Sequence, residues 1–223
     1  MVKIVNTKDL AKNYKVKMVV YGAPGTGKTL LGSTFPNALI FETENGVSTL
    51  IDSGADVDVV KVKSIDEIKE VIAKYGSKYD SFVFDSVTEL LKNFMRSVVG
   101  ERKQPSMRDW GVGLSDLDSV LRTFRDAKKH VLFIFGETEV SHENILKKRL
   151  NISGSKTDNT VCGYVDIVGY MRKEMVEDTE KFYLDVASKD ESVYTKSRFK
   201  KLRETRTIEN PAFDKVYNLI KAK

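Results

Sequence analysis

A glycine-rich motif near the amino terminus constrains the fold of this chain more than any other feature. Residues 22–29 read Gly-Ala-Pro-Gly-Thr-Gly-Lys-Thr and match the phosphate-binding loop pattern G-x-x-x-x-G-K-[ST] at every fixed position. The apolar residues 16–21 before the motif predict a buried strand, and residues 30–35 after it can begin a helix. Because the motif requires a strand, a loop and a helix in this order, the sequence predicts a nucleoside triphosphate site.

The chemistry of the loop predicts which residues would bind the triphosphate and Mg²⁺. Glycines allow successive N–H groups to point at phosphate oxygens, and the start of the helix adds a partial positive charge. Lys28 would reach the β and γ phosphates, and the Thr29 hydroxyl would hold Mg²⁺. The predicted nucleotide contacts are Gly22, Ala23, Pro24, Gly25, Thr26, Gly27, Lys28, Thr29 and Leu30.

The composition is that of one ordinary α/β domain. The chain has 223 residues, of which 41% are hydrophobic and 31% charged, enough for one domain and short of two. No apolar run approaches the ~20 residues of a membrane helix, and residues 1–6 lack the apolar core of a signal peptide. A single cysteine, Cys162, excludes an internal disulfide and suits a reducing cytoplasm. The net charge of +5 is compatible with nucleic acid as a partner.

Strand and helix signals alternate along the first part of the chain, which indicates βαβ units and a largely parallel sheet. Apolar residues at helical spacing predict helices that begin near Ser64, near Ser86 and near Leu114. The predicted strands comprise residues 16–21, 38–41, 57–62, 81–84 and 130–135.

The last part of the chain has weaker signals. Residues 136–160 are polar and hold at most one weak strand, so we expect a long loop that is functional or disordered. A hairpin and one further strand would extend the sheet with antiparallel strands. Asn210 and Pro211 would precede a last helix. These later strands are predicted at residues 171–176, 182–187 and 192–195.

Acidic residues at two strand ends complete the predicted site. Asp85 follows the apolar residues 82–84, an arrangement in which the carboxylate contacts Mg²⁺ directly or through water. In the AAA class the base that activates water is usually a Glu directly after this Asp, but here Ser86 occupies that position. In RecA-like ATPases the base follows the next strand after the phosphate-loop helix. Glu44 stands there, with Glu42 as the alternative one pleat earlier.

Two further segments give the chain its resemblance to a family. Residues 84–87, Phe-Asp-Ser-Val, are similar to the Walker B end of RecA, and Glu44 matches the catalytic Glu of RecA by position. Residues 196–199, Lys-Ser-Arg-Phe, resemble the K-N-R-F-G motif of RadA-type relatives, with Ser for Asn and Lys200 for Gly. The whole looks most like the short phage-encoded RecA-like ATPases grouped with single-strand annealing recombination proteins.

The resemblance implies a RecA-like P-loop NTPase fold of the α/β class. Its mostly parallel central sheet would be flanked by helices and carry a C-terminal antiparallel extension. Residues 1–15 would form an N-terminal extension, and residues 16–223 the ATPase domain.

The resemblance also implies ATP and Mg²⁺ as cofactors and assigns roles to several residues. Lys196 and Arg198 would reach the nucleotide of a neighbouring subunit, which implies a homo-oligomer, either a ring or a filament. RecA ends its fourth core strand with a Gln that senses the γ phosphate, whereas Glu137 stands here, so the relay of nucleotide state stays open. The predicted catalytic residues are Lys28, Glu44, Asp85, Glu137, Lys196 and Arg198, and the predicted metal ligands are Thr29 and Asp85.

In the RecA architecture two loops hold single-stranded DNA, and both have basic counterparts here. The first comprises residues 100–111, and the second lies within residues 136–160. Basic residues neutralise phosphates, and an aromatic ring can stack on a base. The predicted DNA-binding residues are Arg102, Lys103, Arg108, Trp110, Lys147, Lys148, Arg149 and Lys156.

The resemblance implies a cytoplasmic RecA-like ATPase that acts on single-stranded DNA in phage recombination or replication, by ATP-dependent annealing or strand handling. A phage single-stranded DNA-binding protein is a further candidate partner. Three alternatives remain open at this point. They are an AAA-type remodelling or loader ATPase, a small-molecule phosphotransferase, and a module that binds ATP with little turnover.

Overall fold

One nine-stranded sheet with helices on both faces forms the centre of the fold. The computed structural model describes residues 4, 6–44, 46–102, 104–142, 145–152 and 155–222, and for residues 10, 12, 142, 155 and 156 it describes the backbone only. The strands are β1 (Lys17–Tyr21), β2 (Ala38–Glu42), β3 (Asp58–Lys61), β4 (Ser81–Asp85), β5 (His130–Phe135), β6 (Glu137–His142), β7 (Ile145–Leu150), β8 (Ile167–Val176), β9 (Thr179–Asp185), β10 (Lys196–Ser197) and β11 (Thr207–Glu209).

Nine α-helices lie in the described part of the chain, together with a short 3₁₀ turn at Gly76–Lys78. None of these helices is long and apolar enough to cross a membrane. The helices are α1 (Thr7–Lys12), α2 (Lys28–Ser33), α3 (Val47–Asp52), α4 (Ile65–Tyr75), α5 (Val87–Val99), α6 (Met107–Asp126), α7 (Ser155–Tyr164), α8 (Lys200–Thr205) and α9 (Phe213–Lys221).

The strand order β11-β9-β8-β1-β5-β4-β2-β3 places six parallel strands side by side, from β8 to β3. The strands β9, β10 and β11 pair antiparallel and extend the sheet beyond β8. The predicted fold class is therefore confirmed: the protein has a mixed α/β fold with a mostly parallel central sheet and a C-terminal antiparallel extension, as expected of a RecA-like P-loop NTPase.

The parallel strands are apolar on both sides because helices cover both faces of the sheet. Along β1, Val19 and Tyr21 face the helices α5 and α6, while Met18 and Val20 face α2 and α9. All five residues of β1 are buried. This packing fixes the carboxyl end of β1, from which the glycine-rich loop leaves.

The prediction of one long loop at residues 136–160 is wrong. This segment contains β6, β7 and the first part of α7, and β6 and β7 pair over six residues as a separate two-stranded sheet. Strand β6 is acidic and β7 is basic, and the register places Glu139 opposite Lys148. Such cross-strand charge pairs stabilise a hairpin without the apolar alternation by which strands are recognised in a sequence.

Tyr14, just before β1, packs against residues from the last part of the described chain. The ring of Tyr14 contacts the ring of Phe199 edge-on at 5.5 Å, and the Tyr217 hydroxyl of α9 lies 3.4 Å from the Tyr14 carbonyl oxygen. The predicted last helix is confirmed as α9, which begins at Phe213. The division into an extension at residues 1–15 and a domain at 16–223 stays a prediction.

A buried histidine makes the stability of this fold depend on pH. His130 is only 4% exposed, and its Nδ1 accepts a hydrogen bond from the Val16 N–H at 3.1 Å. Burial, with the nearby charges of Lys15 and Lys17, lowers the pKa of His130 to about 4 from its ordinary value of 6.5. Between pH 6.5 and pH 4, His130 is therefore mostly protonated in the unfolded chain and mostly neutral in the folded chain.

We expect the free energy of unfolding to decrease as the pH falls from 6.5 towards 4, with a contribution of about 1–2 kcal/mol from His130, since the neighbouring charges are partly screened by solvent. Urea titrations at several pH values would measure this. His130→Asn is the matched control, because the Asn amide oxygen can still accept from Val16 and does not titrate. An equal pH dependence in both proteins would contradict the assignment to His130.

Candidate nucleotide-binding site

The glycine-rich loop connects β1 to α2 and is enclosed on one side by the β8–β9 hairpin. A Cβ atom on Gly22 would lie 2.2 Å from the carbonyl oxygen of Met171, and one on Gly27 would lie 3.0 Å from the ring of Phe182. Gly27 also has a φ of +82°. Glycine is therefore required at both positions, by close approach at the first and also by backbone conformation at the second.

The ammonium group of Lys28 lies inside this loop. It donates hydrogen bonds to the carbonyl oxygens of Gly22 at 2.8 Å and Ala23 at 2.6 Å. Burial lowers the pKa of Lys28, although the charges of Asp85 and Glu44 partly oppose this effect. A phosphate bound in the loop would place negative charge beside the Lys28 ammonium and offset the cost of its burial. The predicted role of Lys28 therefore fits its surroundings.

Thr29 and Asp85 bring two oxygen ligands together at the ends of neighbouring elements. The Thr29 hydroxyl donates to Asp85 Oδ2 at 2.6 Å, which joins the first turn of α2 to the carboxyl end of β4. Burial raises the pKa of Asp85 to about 6, and the charge of Glu44 adds to this effect. A hydroxyl and a carboxylate are hard oxygen donors of the kind that Mg²⁺ prefers, so these two residues fit the ion.

Glu44 lies beside Asp85 because β2 and β4 are adjacent strands of the sheet. Its carboxylate accepts a hydrogen bond from the Ser86 hydroxyl. The Thr43 hydroxyl donates to the Ser86 carbonyl oxygen and accepts from the Ser86 N–H, both at 2.9 Å. The peptide bond between Asp85 and Ser86 is cis. Ser86 and Thr43 thus hold the predicted base close to the predicted metal ligand.

Glu42, the alternative base, has a different environment. Its side chain is buried at the end of β2, where it is only 4% exposed. One carboxylate oxygen accepts a hydrogen bond from the Gly46 N–H at 2.8 Å. Glu42 therefore stabilises the turn that follows β2, and it does not line the cavity next to the loop.

A cavity of about 320 Å³, here called the phosphate cavity, joins these groups. Glu44, Asp85, Lys28 and Thr29 all line it together with the glycines of the loop. Five further side chains line it that the sequence analysis did not assign to the nucleotide site. They are Thr49, Ser86, Thr88, Lys92 and Asn151.

The comparison with known families agrees with this geometry. A family model described as an AAA domain matches residues 14–199. The chain belongs to this family. Membership confirms the coarser prediction of an ATP-binding P-loop NTPase domain. The Glu that usually follows the Walker B Asp in the AAA class is replaced here by Ser86.

No curated protein matches the sequence. One solved structure that resembles this AAA-family chain is the flagellar accessory protein FlaH from Methanocaldococcus jannaschii. It aligns with a TM-score of 0.44 and 11% sequence identity, over 87% of this chain and 84% of that chain.

Glu137, the residue at the position of the RecA γ-phosphate sensor, does not line the phosphate cavity. Gly136 lines the cavity, whereas Glu137 begins β6 and has one carboxylate oxygen 3.7 Å from the Lys148 ammonium. The other oxygen, Oε2, is buried without a hydrogen-bond partner among the described residues. Its negative charge acts on Lys28. A catalytic role for Glu137 stays a prediction.

The predicted cations from a neighbouring subunit, Lys196 and Arg198, lie at the other end of the sheet. Strand β10 pairs with the beginning of β8, whereas the glycine-rich loop follows the carboxyl end of β1. The Lys196 ammonium donates to the carbonyl oxygens of Cys162 and Val165, and the Arg198 guanidinium donates to Asp166 at 3.0 Å. Within one subunit these residues do not reach the nucleotide, and their role in the site of a neighbouring subunit stays a prediction.

The first predicted DNA-binding loop is shorter than expected. Helix α6 begins at Met107, with Ser106 and Asp109 forming a capping box, so Arg108 and Trp110 belong to its first turn. The pattern Ser-x-x-Asp is a sequence signal that could have shown this. Arg102 forms an ion pair with Asp109 at 2.9 Å. Lys103 lies outside the described residues.

The second predicted DNA-binding cluster is partly engaged by the protein itself. Lys148 lies 2.9 Å from the Tyr170 hydroxyl and near Glu137, while Arg149 lies 3.8 Å from Asp158. Lys147 is half-buried on the same strand. The side chain of Lys156, on α7, lies outside the described part of the structure. A role of these residues in DNA binding stays a prediction.

Proposed function

We propose that this protein is a Mg²⁺-dependent ATPase that assembles as a homo-oligomer and acts on single-stranded DNA in phage recombination or replication, in the cytoplasm of a bacterial host. One observation supports the ATPase most strongly. Lys28, the Thr29–Asp85 pair and Glu44 come from three separate segments and line one cavity. A module that only holds ATP and Mg²⁺ would use Asp85 as a metal ligand and would not need Glu44 as a second carboxylate in the cavity.

Each group of residues in the phosphate cavity has its own role in the proposed hydrolysis of ATP. Lys28 and the N–H groups of the loop bind the β and γ phosphates. Thr29 and Asp85 would hold Mg²⁺, which offsets negative charge on the phosphates when it is bound. Glu44 accepts a proton from water as the water oxygen bonds to the γ phosphorus and the bond to the ADP oxygen breaks. The Ser86 hydroxyl orients Glu44 and holds its carboxylate in place.

Single-strand binding is supported by basic and aromatic side chains on helices α5 and α6. Arg108 is exposed and Trp110 is half-buried, and both lie in the first turn of α6. Lys92 and Arg96 extend the positive charge along α5, although both form ion pairs with Glu89. The net charge of +5 is consistent with a polyanionic partner.

The homo-oligomer is supported by the position of Lys196 and Arg198. A cation that offsets transition-state charge from a neighbouring subunit can contribute about 10³–10⁵ in rate in the most favourable cases. Lys196 and Arg198 lie at the end of the sheet opposite the nucleotide, as they would if subunits assemble head to tail.

We expect a single-stranded oligonucleotide to stimulate ATP hydrolysis and to bind with an affinity that falls steeply with salt. The log–log slope should be about 0.7 per neutralised phosphate, so Arg108→Ala should lower it by about 0.7 if Arg108 contacts one phosphate. Lys69→Ala on α4 is the control, because that lysine is exposed on another helix. ATPase rates with and without the strand, and binding at several salt concentrations, measure these effects.

Family membership favours one alternative, an AAA-type ATPase that loads or remodels another protein. The same assay separates the two functions. A protein that hydrolyses ATP but neither binds nor responds to a single strand at low salt would support the alternative and reject the action on DNA.

A further inference from the structure

A second cavity lies next to the phosphate cavity, between α5 and the beginning of α6. It has a volume of about 390 Å³ and is here called the α5–α6 cavity. Its wall is mostly apolar. The apolar side chains that line it are Leu91, Met95, Val99, Pro105, Trp110 and Ile152. Ligand pockets usually have volumes of about 300–1,000 Å³, so the cavity is large enough for one small planar group.

The rim of this cavity is positively charged. Lys92, Arg96 and Arg102 line it, and no carboxylate is among its described lining residues. The Arg102 guanidinium is held in place by Asp109 and by the carbonyl oxygens of Val98 and Val99 at the end of α5. Lys92 and Arg96 are 57% and 70% exposed at their side chains and both pair with Glu89, so binding of an anionic ligand would replace exposed ion pairs. A suitable ligand is therefore planar and apolar in one part and anionic in another.

A nucleotide unit has this combination, because it carries a planar base next to a phosphate. Trp110 lines the cavity and also packs against the hydrophobic core, and bases of any sequence can stack on an aromatic ring. The cations at the rim match the phosphates on either side of an inserted base.

We propose that the α5–α6 cavity accepts one unstacked base of a single strand, with Trp110 stacking on the base and the rim cations contacting the flanking phosphates. This inference rests on the proposed binding of single strands and adds a base-dependent part to it. The phosphates of a strand that lacks bases would still contact the rim cations, but no base would contact the apolar wall of the cavity.

Trp110 is the only tryptophan in the chain, so its fluorescence reports directly on this cavity. The experiment titrates the full chain with an oligothymidylate, with an abasic strand of equal length and with free thymidine monophosphate. We expect the oligothymidylate to quench the fluorescence of Trp110. It should also bind about 5- to 150-fold more tightly than the abasic strand, the gain in affinity that stacking of one base provides. The abasic strand should bind without quenching.

Two variants of neighbouring residues test the place of binding. Val99→Phe fills the cavity from its apolar wall, whereas Val98→Phe is the matched control because Val98 does not line the cavity. We expect Val99→Phe to abolish the difference between the two strands and to keep ATP hydrolysis in the absence of DNA. Val98→Phe should behave like the unmodified protein.

Several results would overturn the inference. Equal affinity for both strands with no quenching would reject the base site and leave the proposed binding of single strands intact. Failure of both strands to bind would reject that binding as well. Tighter binding of the free nucleotide than of the strand would show a site for a mononucleotide instead, and quenching by an acidic peptide alone would show a protein partner. These comparisons use the unmodified protein, so they hold even if Val99→Phe does not fold.

Discussion

Replacing Lys28 by alanine should abolish ATP hydrolysis and weaken nucleotide binding by about 30-fold to several thousand-fold. Removing one member of a partly desolvated charge pair typically costs about 2–5 kcal/mol, which corresponds to this range. The Lys28 ammonium is already positioned inside the loop, at 2.8 Å from the Gly22 oxygen. Titration with a fluorescent ATP analogue and a phosphate-release assay measure the two effects.

Lys173→Ala is the matched control for this variant. The Lys173 ammonium lies near Gly25 of the loop, but it forms an ion pair with Glu180 at 2.6 Å. We expect nearly unchanged binding and turnover in the control. A Lys28→Ala protein that binds ATP normally would contradict the assignment of the site.

The Lys28→Ala protein also tests the role of Arg198 in a neighbouring subunit. Mixing it with Arg198→Ala protein creates junctions in which one subunit supplies Lys28 and the other supplies Arg198. Partial recovery of ATPase activity supports the proposed assembly. Two inactive proteins that stay inactive although they co-assemble would show that Arg198 serves only its own subunit, through its ion pair with Asp166.

The Glu44→Gln protein should bind ATP normally and lose about 10²–10⁴ in turnover rate, the usual contribution of a general base. The amide keeps the size of the side chain and can still accept from Ser86, so only the proton acceptor is lost. Glu42→Gln is the control, because its amide oxygen can still accept from the Gly46 N–H. Single-turnover hydrolysis with saturating ATP separates binding from chemistry. Unchanged turnover in the Glu44 variant would show that another residue is the general base.

The sequence allowed the phosphate loop and the Walker B aspartate to be predicted, because both depend on short local patterns. The parallel strands were also predictable, since each is a run of apolar residues with a helix after it. Glu44 was placed by its position relative to β2, and the structure brings it beside Asp85 and Ser86. Local pattern and fold agree at these points.

The rest of the site depends on contacts between distant residues, which no local pattern contains. The Ser86 hydroxyl meets Glu44 across 42 positions of the chain, and the Thr88 hydroxyl donates to the Asn151 carbonyl oxygen across 63 positions. The β6–β7 hairpin was missed for a related reason. Its strands are polar, with Glu139 facing Lys148, and they lack the apolar alternation by which a strand is recognised in a sequence.

The phosphate cavity and the α5–α6 cavity share part of their lining. Thr88, Lys92 and Asn151 line both cavities, and Thr88 accepts a hydrogen bond from the Gly136 N–H at 3.1 Å while it donates to Asn151. A ligand on either side that shifts these residues changes the free energy of binding on the other side. Such coupling is reciprocal and amounts to about 5- to 150-fold in typical proteins. If a strand binds in the α5–α6 cavity as proposed and ATP tightens that binding, the strand tightens the binding of ATP by the same factor.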